Sequence, residues 1–331
     1  MTRYRPPLVL ASTVVLVIAA SPAGRAASPA GHASVPADTL RITAAANVTL
    51  RTSPDSSSQP VGQLPLGTEV ADVGLPGLDK TWVRVKLADA REGWVLSNLT
   101  KKIDPAWRWP TFDRIIAERL GRKGDGFQAS AELVAFIDRI TPQYTDPDGR
   151  GRLEYWRLQA MAATLSAIPP GASRRDPYES WLVAHKADLV LDDAGHRWMM
   201  SDSAIWERHA RVSSTESGDD IAWFAVTNGL AGECEGRVVC YLSARNRLYG
   251  EYLRRYPRGT HAAEAVEVIR STADLLVANS SSKAAYTFDG KRDGKDLSIA
   301  LDALTGAVKE TRVPNKDAAL TSLAALRRLA Q

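Results

Sequence analysis

The chain has 331 residues, with 42 lysines and arginines against 38 aspartates and glutamates, and a formal net charge of +4. Residues 1–27 contain Arg3, Arg5 and Arg25 but no acid, so cleavage after Ala27 would remove three basic residues. That leaves 42 minus 3, or 39, basic residues against 38 acidic ones. This balance, without a basic stripe carrying interleaved aromatics, argues against nucleic acid as a partner.

The N-terminus has the three parts of an export signal. Arg3 and Arg5 precede a mostly apolar run of 13 residues, Leu8 to Ala20, and small residues follow. Thirteen residues are too few to cross about 30 Å of hydrocarbon as a helix. We therefore predict a signal peptide over 1–27, a periplasmic or secreted location and no membrane span in the mature chain. The alternative is an uncleaved N-terminal anchor.

A linker at 28–40, rich in Ala, Ser, Pro and Gly, is followed by a pattern with a period of two. The polar loop "SPDSSSQP" and the segments "LGTEV", "TWVRVKL" and "REGWVLSNL" continue it as short strands with turns between them, which indicates a small barrel. A domain of this size is marginally stable unless its large side chains are buried. The predicted barrel core is Val48, Leu50, Val70, Trp82, Val85, Trp94 and Val95.

The run "VTLRTSP…VGQLPLGTEV…WVRVKLADAREGWVLSNL" resembles a bacterial SH3-like domain over about residues 41–102. Members share a strand ending in Arg, a Pro-containing loop, a Gly-Thr turn, a Trp-led strand and a closing Gly-Trp-Val strand. Ser53 departs from the Gly that often precedes the Pro of the family. The resemblance implies a non-catalytic module that contacts peptidoglycan or its peptides. It assigns no binding residues, because the shared motif is mostly core; the alternative is an unrelated small barrel.

From about residue 110 the apolar period becomes 3.6, which predicts an α-helical domain over 110–280 with a β-hairpin near 189–200. The segment "YLRRYPRGTHAAEA" resembles the helical hairpin of periplasmic tetratricopeptide-type repeats, but the region has no clear period of about 34 residues. A degenerate repeat and an irregular bundle both remain open. A linker and a terminal helical hairpin are predicted over 281–331. The predicted packing residues of the central hairpin are Tyr249, Tyr252, Leu253, Tyr256, Ala262, Ala265, Val266 and Ile269.

The two cysteines, Cys234 and Cys240, lie close together in "GECEGRVVCYL". In an exported chain such a pair favours a local disulfide, which would contribute only about 2 kcal/mol for so short a loop. A zinc site would need two further ligands at finger spacing. A redox pair usually has two intervening residues, whereas five separate these cysteines.

The sequence contains no motif that identifies a catalytic or metal centre, so we predict no catalytic residue, metal or cofactor. Scattered histidines are more often surface or core residues than ligands, and adjacent acids are typical of turns and helix starts. A disulfide would also inactivate a Cys–His pair. The groups considered were His196 and His209 with Asp192 or Asp193, Cys240 with His261, and the pairs Asp192–Asp193 and Asp219–Asp220.

Together these patterns predict a multi-domain protein: a small all-β SH3-like barrel followed by a mainly α-helical domain of helical hairpins. The predicted function is that of an exported, non-enzymatic envelope protein. Its barrel would contact peptidoglycan or a peptide, and its helical domain would contact a protein partner. The alternatives are a cell-wall hydrolase with an unrecognised site in the helical domain and a structural assembly factor whose barrel binds nothing.

Overall fold

The computed structural model describes residues 40–74, 81–122, 124–192, 197–228, 234, 236–279 and 290–329. The expected signal peptide, almost all of the predicted linker and the start of the predicted tail lie outside these ranges. Residues 37–331 form one compact unit, which contains both the strands and the helices described below.

Seven short strands form one antiparallel sheet in the order β3-β2-β6-β5-β4-β1-β7. Along each strand, every second side chain points to the same face of the sheet. The apolar side chains on one face meet in a single core. The sheet therefore curls into a barrel. The strands are β1 (Leu40–Thr43), β2 (Val48–Arg51), β3 (Pro60–Leu64), β4 (Glu69–Asp72), β5 (Trp82–Lys86), β6 (Glu92–Leu96) and β7 (Thr100–Lys102).

The barrel interior is aliphatic. Five predicted core residues lie in it and are at most 2% exposed: Val48, Leu50, Val70, Val85 and Val95. Leu64, Val83 and Leu87 complete the same cluster.

The prediction that Trp82 and Trp94 fill the barrel is wrong. Both indoles are half-buried and neither belongs to the interior cluster. Their strand neighbours Val83 and Val95 point inwards, and adjacent residues of a strand point to opposite faces. The inward position next to Trp94 is Gly93, where an added Cβ would lie 2.6 Å from a backbone oxygen. The interior has no room for an indole there.

The remainder of the described chain is mostly helical, which confirms the predicted fold class. A two-stranded antiparallel pair, β8 (Leu189–Asp192) and β9 (Arg197–Met200), interrupts the helices, and a π-helical segment at Asn246–Gly250 joins α7 to α8. The helices are α1 (Arg108–Leu120), α2 (Phe127–Ile140), α3 (Pro147–Ser166), α4 (Tyr178–Ala184), α5 (Asp202–Val212), α6 (Ser217–Asn228), α7 (Val238–Arg245), α8 (Glu251–Arg255), α9 (Ala262–Ala278), α10 (Gly290–Lys309) and α11 (Lys316–Leu329). Within the described ranges, no helix is both long and apolar enough to span a bilayer.

The helices have two apolar cores. One joins α1, α2 and α3 to parts of α5 and α6, and the second joins α6 to the helices from α7 to α11. The residues predicted to pack in the central hairpin lie in the second core. Tyr252, Leu253, Ala262, Ala265, Val266 and Ile269 are at most 1% exposed, while Tyr249 and Tyr256 pack on it half-buried. The likeness to tetratricopeptide-type hairpins stays a prediction.

The barrel shares a core with the first helices. Ile42 of β1 and Leu66 of the β3–β4 turn belong to the same apolar cluster as Phe112 of α1 and Phe136 of α2. Gly67, which follows Leu66, has a φ of +76° and leaves no space for a Cβ beside the Phe136 ring. The β3–β4 turn is therefore packed directly on α2.

Polar contacts surround this shared core. The Glu132 carboxylate accepts hydrogen bonds from the backbone nitrogens of Leu66 at 3.1 Å and Asn47 at 3.3 Å. The Arg139 guanidinium donates to the Leu66 carbonyl oxygen at 2.8 Å. Backbone groups of Leu66 and Asn47, in two turns of the barrel, thus find their partners on α2, which fixes the barrel in one position on the helices.

A buried histidine connects α5 to the end of α8. His209 is 3% exposed, its Nε2 lies 2.7 Å from the Tyr256 hydroxyl, and its Nδ1 has no hydrogen-bond partner within the described chain. Burial lowers the pKa of His209, and the positive charge of Arg255 lowers it further. The folded protein therefore favours neutral imidazole.

We expect His209 to lower the stability of the protein as the pH falls below about 6.5. Its folded pKa lies below the unfolded value of about 6.5, so its contribution is present above that pH and is lost as the pH falls. The decrease is at most about 1.4 kcal/mol per pH unit. Urea unfolding between pH 7.5 and 5 measures it.

We expect the free energy of unfolding of His209→Gln to vary less with pH between 7.5 and 5 than that of the wild type. If the free energy of unfolding changed equally with pH in the wild type and in His209→Gln, His209 would not be the source of the loss of stability in acid.

Candidate binding face of the β-barrel

The outer surface of β5 and β6 carries aromatic and charged side chains. On β5, Trp82, Arg84 and Lys86 alternate with buried valines. On β6, Glu92, Trp94 and Leu96 alternate with the buried Gly93 and Val95. Pairing places Trp82 opposite Leu96, Arg84 opposite Trp94 and Lys86 opposite Glu92. We call these six residues, together with Arg51 of β2, the outer face.

Trp94 lies at the middle of the outer face. It is paired with Arg84 on one side and with Arg51 of β2 on the other. Trp82 occupies the diagonal position across the β5–β6 pair, and diagonal neighbours on one face of a sheet lie about 7–8 Å apart. Two indoles and two guanidinium groups are therefore neighbours on one side of the barrel.

Both indoles of the outer face lie partly at the surface of the domain. Among the described residues, neither Trp82 nor Trp94 makes a ring–ring or cation–ring contact. Each indole presents part of its surface to solvent, and a half-buried tryptophan combines a large apolar area with a hydrogen-bond donor. Such side chains are frequent anchors in binding sites.

The charges of the outer face are mixed. The Glu92 carboxylate lies 2.9 Å from the Arg84 guanidinium and 3.5 Å from the Lys86 ammonium group. All three side chains are at least 36% exposed, so these pairs contribute little to stability. The outer face offers donors for carboxylates beside its two aromatic surfaces.

The polar loop between β2 and β3 borders this face and is ordered by its own side chains. The Asp55 carboxylate accepts from the backbone nitrogen and hydroxyl of Ser57 at 2.9 and 2.8 Å, and Arg51 donates to the Ser58 carbonyl oxygen at 2.6 Å. The Ser57 hydrogen bonds lower the pKa of Asp55. The loop therefore has a defined shape beside Arg51.

The family of the barrel follows from its sequence and its strands. Residues 46–101 match the family model of the bacterial SH3 domain. These residues form a bacterial SH3 domain. Neither the curated proteins nor the solved structures gave a match to the chain. The match covers the strands from β2 to β7 of the SH3 domain, whereas the helical region lies beyond it.

Among the described residues, the polar contacts between the helices and the SH3 domain lie away from the outer face. Those contacts come from the β1–β2 turn, the β3–β4 turn, β4 and β7. Arg108 of α1 lies 3.4 Å from Glu69, and Glu118 lies 3.3 Å from Lys101. The outer face is built from β5, β6 and the end of β2, none of which takes part in these contacts.

The other sequence-selected groups occupy structural positions. The sulfur atoms of Cys234 and Cys240 are bonded, and the two Cα atoms lie 5.4 Å apart. Cys240 therefore has no free thiol beside His261, whose ring stacks on Trp223 with the ring centres 4.7 Å apart. The Asp219 carboxylate accepts from the backbone nitrogen of Thr260 at 2.6 Å.

The combination of His196, His209 and Asp192 or Asp193 that was considered for a metal site is not assembled in the described part of the chain. His209 is bonded to Tyr256, and Asp192 lies 3.7 Å from Arg197 in the β8–β9 pair. His196 and Asp193 lie outside the described residues. Among the described residues, no group of three or more His, Cys, Asp or Glu side chains has the geometry to hold a metal ion.

The sequence contains a signal for the outer face in the parity of the β5 residues. Trp82 shares its strand parity with Arg84 and Lys86, whereas Val83 and Val85 have the opposite parity. Trp82 and Val85 could therefore not both point into the barrel from one regular strand. The charged members identify the side that faces water, and the indole belongs with them.

Proposed function

We propose that this protein is an exported, non-enzymatic component of the cell envelope that binds peptidoglycan or its peptides through the outer face of its SH3 domain. The observation that carries the proposal is the pair of half-buried indoles of Trp82 and Trp94 on the outer face, with Arg84 and Arg51 beside it. Indoles provide flat apolar surface for sugar rings and peptide side chains, and guanidinium groups pair with carboxylates. Wall peptides and glycans offer both kinds of partner.

The helical domain would serve as a rigid platform with a protein-binding role. The shared core with α1 and α2 supports this, because a barrel held in one position presents the outer face in a fixed direction. The likeness of 'YLRRYPRGTHAAEA' to tetratricopeptide-type hairpins supports a protein as the second partner. Export is supported by the charged, apolar and small-residue pattern of residues 1–27.

Cosedimentation with purified peptidoglycan tests the proposal on the intact protein. We expect the wild type to pellet with the wall material and Trp82→Ala/Trp94→Ala to bind at least about tenfold more weakly, because central aromatic anchors carry much of a binding free energy. Trp107→Ala is the matched control. Trp107 is 70% exposed but lies in the connection to α1, away from the outer face.

A supernatant containing all of the wild-type protein would contradict wall binding and favour the assembly-factor alternative. Equal losses for the double variant and Trp107→Ala would contradict the outer face as the site. Circular dichroism and thermal unfolding of each variant show that the fold is retained. Zymography on the full chain addresses the hydrolase alternative, and a clearing band would overturn the non-enzymatic assignment.

A further inference from the structure

A cavity in the helical domain is separate from the outer face of the SH3 domain. It lies between the end of α1, the start of α2 and the second half of α3, and its volume is about 530 Å³. Sites for small ligands commonly have volumes of about 300–1,000 Å³. Alanines form much of its wall, and Arg119, Ser130 and Gln159 supply polar groups.

Arg119 is the buried charge of this cavity. Its side chain is 5% exposed, and its Nη2 lies 2.8 Å from the Asp125 carboxylate. That contact lacks hydrogen-bond geometry, and the Nε has no hydrogen-bond partner among the described residues. Burial lowers the pKa of Arg119, although Asp125 opposes the shift. A guanidinium nevertheless keeps its charge, so its desolvation is left incompletely compensated.

Ser130, in the first turn of α2, is a second polar group on the cavity wall, and its hydroxyl can donate a hydrogen bond. Buried polar groups are normally hydrogen-bonded, so the incompletely bonded Arg119 guanidinium beside this cavity indicates a missing acceptor. A carboxylate matches this need because it offers two oxygens and carries a single negative charge.

The walls indicate the size of the group that carries the carboxylate. Ala129, Ala160 and Ala163 leave space for short side chains, and Gln159 provides an amide on the same wall. Arg119 and Arg122 outnumber Asp125 among the charged lining residues, so the cavity favours a net negative ligand. We propose that this cavity binds the C-terminal carboxylate of a short peptide with small side chains, with Arg119 as the anchoring cation and Ser130 as a second donor.

Calorimetric titration of the full chain with N-acetyl-Ala-Ala tests the proposal, and the same peptide with a C-terminal amide is the matched ligand control. We expect the acid to bind at least about tenfold more tightly than the amide, because a charge-assisted bidentate pair is lost in the amide. Arg119→Gln should weaken binding of the acid by about the same factor. Arg114→Gln, on the exposed side of the same helix, should leave it unchanged.

Ala163→Leu provides a second variant that leaves Arg119 in place. Ala163 is exposed at the cavity wall, so a larger side chain there should fill the cavity without disturbing the fold, and binding should again fall at least about tenfold. No binding of the acid at millimolar concentration would overturn the proposal. Equal binding of acid and amide, normal binding by Arg119→Gln, or tighter binding of inorganic phosphate than of the peptide would also overturn it.

Discussion

Replacement of Asp188 by Asn should lower the free energy of unfolding by about 1–3 kcal/mol, because two buried arginines lose their shared acid. The loss is limited because Arg157 keeps Asp138 and Arg208 keeps Glu154 as partners. The Asp188 carboxylate lies 3.0 Å from the Arg157 guanidinium of α3 and 2.9 Å from the Arg208 guanidinium of α5. Both arginine side chains are at most 13% exposed. Urea unfolding at pH 7 measures the loss.

The matched control is Asp302→Asn, which removes an acid paired with Arg327 on the protein surface. The Asp302 side chain is 64% exposed, so this change should cost about 1 kcal/mol or less. Similar losses in both variants would contradict the importance of the buried network.

The same network predicts how the Asp188 effect varies with pH. Burial acts to raise the pKa of Asp188, but the pairs with Arg208 and Arg157 outweigh it and hold the pKa below its usual value. The stabilisation is therefore present above about pH 4 and is lost as the pH falls through the lowered folded pKa. The difference between wild type and Asp188→Asn should narrow at acid pH.

Gly67→Ala should cost about 2–5 kcal/mol of unfolding free energy. Its φ of +76° is unfavourable for alanine by about 1–2 kcal/mol, and a Cβ there would overlap the Phe136 ring in the shared core, which costs about 1–3 kcal/mol more. Urea unfolding followed by far-ultraviolet circular dichroism measures the change.

Gly171→Ala separates the two contributions to that cost. Gly171 has a φ of +75°, but an added Cβ would contact nothing within 4 Å. This control should lose only the backbone contribution of about 1–2 kcal/mol. If both glycine variants lost the same amount, the predicted overlap between a Cβ at position 67 and the Phe136 ring would be contradicted.

The SH3 domain could be predicted from the sequence because its information is local. A period of two, turn residues between short strands and the spacing of the Gly-Thr and Gly-Trp-Val motifs all lie within about 60 consecutive residues. The same locality predicted the helices, whose apolar period of 3.6 is visible segment by segment. The prediction that Trp82 and Trp94 fill the barrel fails because strand parity, and not side-chain size, decides which face of the sheet a residue occupies.

The candidate sites depend on contacts between residues that are distant in the chain. The Glu132 carboxylate accepts a hydrogen bond from the backbone of Leu66, which lies 66 positions earlier in the chain. No local pattern predicts which end of the barrel α2 will cover. The polar contacts with α2 lie away from the outer face. The cavity around Arg119 likewise exists only where α1, α2 and α3 meet.

By itself, the sequence determined that a bacterial SH3 domain precedes a set of amphipathic helices, since strand alternation and helical periodicity are properties of neighbouring residues. Only the tertiary structure decided that the domain is fixed to α2, that its two indoles remain at the surface and that Arg119 is buried beside an unfilled cavity. These features follow from how complete elements pack, and packing depends on the shapes and charges of surfaces assembled from separate segments.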